Sequence, residues 1–401
     1  MKARYSLLLL CCLSLPLWAA QPSLPPQLYK KFTQAQELIA AANWEKALQA
    51  LQPLSESKQA YARALAWQSK GQIYLQQKQL PQAERAFQRA LAEQALPSQD
   101  QRQVQHALAR VQLHQQQWQA GTTGLADWLQ WAQKQAKSGV ELVDYLALAQ
   151  GYQQLGQKQA LLRLLETVPS AWWRQAEAAP LLQLAVATAV AEQDYPGAAR
   201  WQQHWLEHQQ PQDGAAWLQL ANLQIRAGQH SQALASLRLA WQQRLLDEQG
   251  IELLQQLYRH QGLPMRAAEV LQQAMAEQHL PASLVWQQHL ADAYLQAKAY
   301  EQGLAVLVAM AELQPQTPPW LLRLAQLQLQ LRQWQPALHT LEQVLATPQA
   351  DLATAFTLRG IALAHQQRWQ EAEQALQQAL AQQPQSAQAQ LWLDYIAQRQ
   401  G

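Results

Sequence analysis

Small and large residues recur in one fixed order about ten times along this chain, roughly every 34 to 40 residues. A chain written this way folds by stacking like units, each too thin to bury its own apolar face. The clearest copy runs Trp67, Gly71, Tyr74, Ala83, Phe87, Ala90. Numbered from Ala64 as position 1, these are positions 4, 8, 11, 20, 24 and 27. Near the end the same order returns as Phe356, Gly360, Leu363, Ala372, Leu376, Ala379, with Pro384 at position 32. Positions 4, 7, 8 and 11 form an i, i+3, i+4, i+7 stripe, and positions 20, 24 and 27 form a second one. Each unit therefore reads as two helices crossing at small residues, with Gly71 set against Ala83 and the large side chains filling the space around them. Sustained period-2 runs of β-branched residues are absent from the sequence, so strands are not expected.

The pattern is not uniform. Copies with Trp217, Ala221 and Ala233, with Leu254, Tyr258 and Ala267, and with Ala291, Tyr294 and Gly303 are regular. The stretch from Trp128 to Val140 is longer than an ordinary turn, and Pro169 to Pro180, with Trp172 and Trp173, reads as an irregular insertion. The expected division is a leader at 1–20, regular repeats at 21–128, irregular ones at 129–213, regular ones at 214–384 and a polar-faced capping helix at 385–401. The chain has 17 tryptophans, many at repeat positions, and core packing is the expected role for nearly all of them. The abundant glutamines are interleaved with apolar residues at helical spacing, which is the pattern of exposed helix faces rather than of a disordered tract.

These residues resemble the tetratricopeptide repeat, a 34-residue pair of antiparallel helices. The resemblance implies an all-α fold: a right-handed superhelical solenoid of about ten helix hairpins with a C-terminal capping helix. It also implies that the first helix of each repeat lines a concave face, with positions 2, 5, 9 and 12 pointing inward. Mapped here, the candidate groove residues are Asn222, Ile225, Gln256, Arg259, Gln288, Asp292, Leu295 and Gln326. Such a blend of amides, apolar groups and a few charges suits an extended peptide or a helix, whose backbone can bond to Asn and Gln. Lysine is absent from these positions, so a basic clamp for carboxylates is not expected.

The N-terminus carries a second signal. Lys2 and Arg4 precede an apolar run from about Ser6 to Trp18, then Ala19 and Ala20, the order of a cleavable secretory signal. The run is about 13 residues long, short of the roughly 17–25 that span a bilayer. An uncleaved inner-membrane anchor is the alternative. Both cysteines, Cys11 and Cys12, lie inside this leader, so the mature chain would hold no disulfide and no thiol nucleophile. A thiol-free exported chain fits an oxidising compartment, and a periplasm is the expected one. Without Lys2 and Arg4 the 30 basic residues fall to 28, equal to the 28 acidic ones, and no Lys/Arg run is present. A nucleic-acid partner is not expected on that balance.

Catalytic chemistry has little support in the sequence. His204-Trp205-Leu206-Glu207-His208 spells H-x-x-E-H, in which two histidines one helical turn apart can reach one zinc and the glutamate can act as base. A zinc peptidase on that motif is the remote reading; surface histidines are the expected one. Gly121 to Gly124 lacks the Lys-Ser/Thr of a phosphate loop, and no G-x-S-x-G element is present. No catalytic residue, cofactor or metal is expected.

The C-terminal half supports a narrower resemblance. The run Leu246-Asp247-Glu248-Gln249-Gly250-Ile251-Glu252-Leu253-Leu254, then Tyr258, Gly262-Leu263-Pro264 and Ala267-Ala268-Glu269-Val270-Leu271, is distinctive, as is Gln390-Leu391-Trp392-Leu393-Asp394-Tyr395-Ile396. With the leader and the length, these segments look like the family of periplasmic tetratricopeptide proteins encoded beside TonB, ExbB and ExbD. That resemblance implies an accessory scaffold for energised uptake through the outer membrane, for example of iron complexes, docking TonB- or ExbD-type periplasmic segments. A scaffold for envelope polysaccharide export or cell-wall assembly is the alternative.

Overall fold

The computed structural model describes residues 23–135, 139–209, 213–314, 317–347 and 350–400. The expected leader, both cysteines and Pro315 lie outside them. Every regular element among the described residues is helical, and they fall into two compact units, residues 1–193 and 194–401.

In the first unit, four hairpins follow one another: α1 (Pro26–Ala40) with α2 (Trp44–Ser55), α3 (Ala60–Gln76) with α4 (Leu80–Ala92), α5 (Ser98–His114) with α6 (Trp118–Ala132), and α7 (Leu142–Gln154) with α8 (Lys158–Glu166). Two 3-10 turns, Ser170–Arg174 and Ala176–Ala178, then lead into α9 (Ala179–Ala191). The second unit opens with α10 (Tyr195–Gln209). Five hairpins follow: α11 (Gly214–Arg226) with α12 (His230–Gln242), α13 (Glu248–His260) with α14 (Pro264–Ala276), α15 (Leu284–Gln296) with α16 (Tyr300–Leu313), α17 (Pro318–Gln330) with α18 (Trp334–Leu345), and α19 (Leu352–His365) with α20 (Trp369–Gln382). The last helix, α21 (Ala387–Gln400), packs on α20 and α19.

One turn recurs where the first helix of a hairpin ends. The chain enters the left-handed region at Ala42, Lys78, Gln116, Gly156, Gly228, Gly262, Lys298, Arg332 and Gln367. The next backbone N–H then reaches back to the last turn, as from Gln79 to Tyr74 O at 2.8 Å and from Gln333 to Gln328 O at 2.8 Å. This closure satisfies helix carbonyls that would otherwise be orphaned and aims the second helix back along the first. Only three of these nine positions are glycine, although the conformation favours it.

The crossing of two helices is tight, and a large residue of the second helix joins the small ones in it. A Cβ added to Gly71 would lie 2.5 Å from Phe87 Cε1, and one on Gly360 would lie 2.5 Å from Leu376 Cγ. Position 8 therefore meets the large residue of position 24 as well as the small one of position 20, since the Gly360 Cβ would also lie 3.3 Å from Ala372 O and one on Gly121 would lie 3.0 Å from Ala109 O. The reason is direction: a helical side chain leans toward its own N-terminus and covers the turn before it.

Burial follows the two stripes. In the second unit, successive clusters share Val306, Ala311 and Leu329, so its apolar interior is continuous from α11 to α21. Among the described residues Trp128, Trp173 and Trp286 are buried and the other tryptophans are half-buried. Trp44, Trp67, Trp217, Trp241, Trp320, Trp369 and Trp392 pack against the apolar clusters from their margins. Trp67, for instance, carries Lys70 Nζ 4.6 Å and the Arg89 guanidinium carbon 4.5 Å from its ring centroid. The outward face of α21 is not uniformly polar, because Leu391 is 67% exposed and Tyr395 is exposed beside it.

Candidate functional site

The groove residues expected from the repeat register lie on the first helices of the second unit: Asn222 and Ile225 on α11, Gln256 and Arg259 on α13, Gln288, Asp292 and Leu295 on α15, and Gln326 on α17. Asn222, Gln256 and Gln326 are exposed, and the other five are half-buried. Several are already engaged. Arg259 Nε donates to Gln296 Oε1 at 2.8 Å, which ties α13 to α15. Asp292 pairs with Arg323, which ties α15 to α17. Gln256 donates to Glu252 on its own helix at 3.1 Å. Ile225 and Leu295 pack against core clusters.

The first unit holds a more open surface. On α7, Val143, Leu146, Ala147 and Gln150 form an i, i+3, i+4, i+7 stripe, and on α9 Pro180, Gln183, Leu184 and Ala187 repeat that spacing. Together they bound a trough of about 600 Å³, a size usual for a ligand cleft. Val143 is 41% exposed and Ala187 is exposed as well. Apart from His114 at one end, every residue lining this trough is uncharged. A smaller depression of about 170 Å³ beside α5 and α6 shares His114, Val143, Ala147 and Gln150, and so extends it toward Arg110 and Trp118.

The trough follows from how α7 and α9 are held apart. The second helix of this hairpin, α8, has only nine residues, and two 3-10 turns follow it. Trp172 in the first turn meets Tyr145 of α7 edge-on at 5.8 Å, and Trp173 beside it is buried. Tyr145 also donates its hydroxyl to Thr167 O at 3.0 Å. On its other side α7 is anchored by Asp144, which is fully buried. Asp144 accepts from Glu141 N at 3.1 Å, and its Oδ1 lies 2.7 Å from His106 Nε2. His106 in turn stacks on Trp128 at 3.7 Å. A rigid floor under an apolar surface is the setting in which binding loses little conformational entropy.

Register reasoning missed Val143, Leu146, Leu184 and Ala187. The signal was nonetheless present: α9 is apolar around nearly its whole circumference, from Leu181 through Val190, while its neighbours in the chain keep a polar face.

The histidines of the H-x-x-E-H motif sit together on α10, with His204 Nε2 and His208 Nε2 3.0 Å apart. Glu207 lies between them in sequence but accepts from Gln203 Nε2 at 2.9 Å. Among the described residues, no group of three or more His, Cys, Asp or Glu side chains converges as a metal site would need. No described helix is long and apolar enough to cross a membrane.

The tetratricopeptide repeat family model matches residues 32–100 and 322–393. Tetratricopeptide repeats occupy both stretches. They take in most of α1 through the start of α5, and most of α17 into α21. No curated protein matches the chain. Among solved structures, YrrB, described as a tetratricopeptide protein with an unusual peptide-binding site, is 17% identical, covering 48% of this chain and 98% of its own, with a TM-score of 0.38. MamA from Desulfovibrio magneticus RS-1, from residue 41 to its end, is 22% identical, covering 37% of this chain and 83% of its own, with a TM-score of 0.34. The Cut9-Hcn1 hetero-tetramer of the APC/C is 16% identical, covering 92% of this chain and 83% of its own, with a TM-score of 0.31.

Proposed function

We propose that this chain is a non-enzymatic docking scaffold that holds a protein partner against the trough between α7 and α9. The observation that carries this reading is the pair of facing apolar stripes left open there. Contiguous apolar surface of this kind marks an interaction site more often than solvated surface does. Gln150, Gln153 and Gln183 along the trough offer amide donors and acceptors to a peptide backbone, and the uncharged lining favours a segment anchored by aliphatic or aromatic side chains. The first-helix face of the second unit, with Asn222, Gln288 and Gln326, is a second and more polar docking surface in the same reading.

The finer reading places this scaffold in a periplasm, exported by the leader at 1–20, as an accessory to TonB-dependent uptake. It is supported by the leader's charged, apolar and small-residue order, by the confinement of both cysteines to it, and by the resemblance carried in 246–271 and 390–396. Cross-linking in intact cells followed by co-purification tests both levels. Recovery of TonB, ExbB or ExbD with the wild type, and its loss with Val143→Asp and Leu184→Asp, is the expected result. A partner that is lost with those variants but belongs to no Ton complex would retain the docking site and refute the Ton assignment. Wild-type recovery from variants that keep their helical circular dichroism would refute the trough.

A further inference from the structure

We propose that His204 and His208 form a chelate for a late divalent transition-metal ion, with copper(II) held most tightly. The two residues lie four apart near the C-terminal end of α10, so their side chains share one face. Their Nε2 atoms are 3.0 Å apart, with ring centroids at 4.4 Å and ring planes at 86°. Both residues are half-buried, which fixes the rings without closing the site to an ion. With metal-to-imidazole bonds of roughly 2.0–2.1 Å, a 3.0 Å span between the nitrogens subtends about 90–97° at the metal. That is the angle between adjacent ligands in a square-planar or octahedral shell. It is narrower than the tetrahedral angle that zinc prefers.

In the free protein, the same 3.0 Å contact is an N–H···N bond between two neutral imidazoles. On binding, the ion takes the place of that proton, which the donor ring carries on its other nitrogen instead. The imidazoles are ready for this exchange. An imidazole ligates in its neutral form through the ring nitrogen that carries no proton. Glu207 accepts from Gln203, and among the described residues no third His, Cys, Asp or Glu converges on the pair, so water completes the coordination. The site is thus a binding site and not the three-ligand centre of a metallopeptidase. Square-planar nitrogen and oxygen coordination together with the Irving–Williams order puts copper(II) first, with nickel(II) at least equal to zinc(II).

The test uses the full chain with any affinity tag removed, stripped of metal and titrated with copper(II) against a glycine competitor. Calorimetry gives the stoichiometry, and electron paramagnetic resonance identifies the ligands. One copper per chain with hyperfine coupling to two imidazole nitrogens is expected. His208→Ala should weaken binding by at least tenfold, and the His204→Ala/His208→Ala pair should abolish it. His230→Ala and His260→Ala, which disrupt the other close histidine pair at 5.5 Å, should leave it unchanged. Circular dichroism checks that each variant stays helical. Wild-type copper affinity in the His204/His208 double variant, or no copper bound above the competitor in the wild type, would overturn the site. Zinc displacing nickel from the wild type would overturn the coordination geometry assigned to it.

Discussion

Gln255 occupies position 8 of its repeat, where other copies hold Gly71, Ala221, Ala291, Ala325 or Gly360. Its side chain is fully buried, and among the described residues neither its Nε2 nor its Oε1 has a hydrogen-bond partner. The structure thus closes over a desolvated amide on α13, a helix whose Leu254 and Tyr258 belong to the apolar cluster of this unit. Leaving a buried polar group unpaired costs about 1–3 kcal/mol. Gln255→Met keeps the length and nearly the volume of the side chain while removing both polar atoms. A volume-conserving exchange in a core costs less than about 1.5 kcal/mol. Mid-range values of about 2 and about 0.75 kcal/mol leave a net stabilisation of about 1 kcal/mol.

A repeat array need not unfold in one step, so a single melting temperature is a poor readout. Amide hydrogen exchange resolved to peptides of α13 and α14 measures the local opening instead. A gain of that size slows exchange there roughly fivefold while leaving α3 and α4 unchanged. Gln255→Ala serves as the control. It removes the same amide but leaves a cavity, and so should fall below Gln255→Met by about 2 kcal/mol or more. Faster exchange in the methionine variant than in the wild type would refute the reasoning, because it would mean that the amide is satisfied in solution, most simply by an internal water.

Three further outcomes follow from the same packing. Gly71→Ala gains about 1 kcal/mol of helix propensity but drives a Cβ into the Phe87 ring, so α3 and α4 should lose up to about 2 kcal/mol by hydrogen exchange, and Phe87→Leu should rescue part of that loss. Arg332→Gly, at a left-handed turn residue with φ of 58°, should stabilise α17 and α18 by about 1 kcal/mol, detectable as slower exchange, because arginine bears a steric cost there that glycine does not. Burial holds Lys70 below the ordinary lysine range, so the unfolded chain keeps this proton to higher pH than the folded one. The stability of α3 and α4 should therefore rise with pH between that lowered value and about 10.4, and Lys70→Met should flatten the rise in a urea titration series.

The fold could be read in the sequence because position 8 and position 24 are selected by one contact. Gly71 with Phe87 and Gly360 with Leu376 stand the same 16 residues apart at opposite ends of the chain, and both are spaced by the same crossing. The part that position 24 takes in this contact beside position 20 was not legible, because side-chain direction along a helix decides it and residue size alone does not. The left-handed turns were legible only at Gly156, Gly228 and Gly262. Elsewhere Lys78, Lys298 or Arg332 fills the same backbone position, and no residue type announces it. The trough was hidden for a different reason. It arises where the pattern fails, at a shortened α8 followed by the Trp172 and Trp173 turns, and a register assigns no position to such a segment.

What closes the first-helix face in one place and opens it in another is the reach of the side chains across neighbouring repeats. In the second unit, Arg259 reaches Gln296 on the next first helix, and Arg323 reaches back to Asp292. Each contact spans two helices with a long guanidinium and covers the apolar surface beneath with its methylene stem. Across the trough in the first unit, the facing side chains are Val143, Leu146 and Ala147 on one bank and Leu184 and Ala187 on the other. None of these is long or charged enough to make such a bridge. The nearby guanidinium, that of Arg110, lies instead 3.7 Å from Glu141 and 3.8 Å from Asp144. An apolar bank left without a bridge stays exposed unless another chain covers it, which is the ground on which the trough is proposed as the first docking surface.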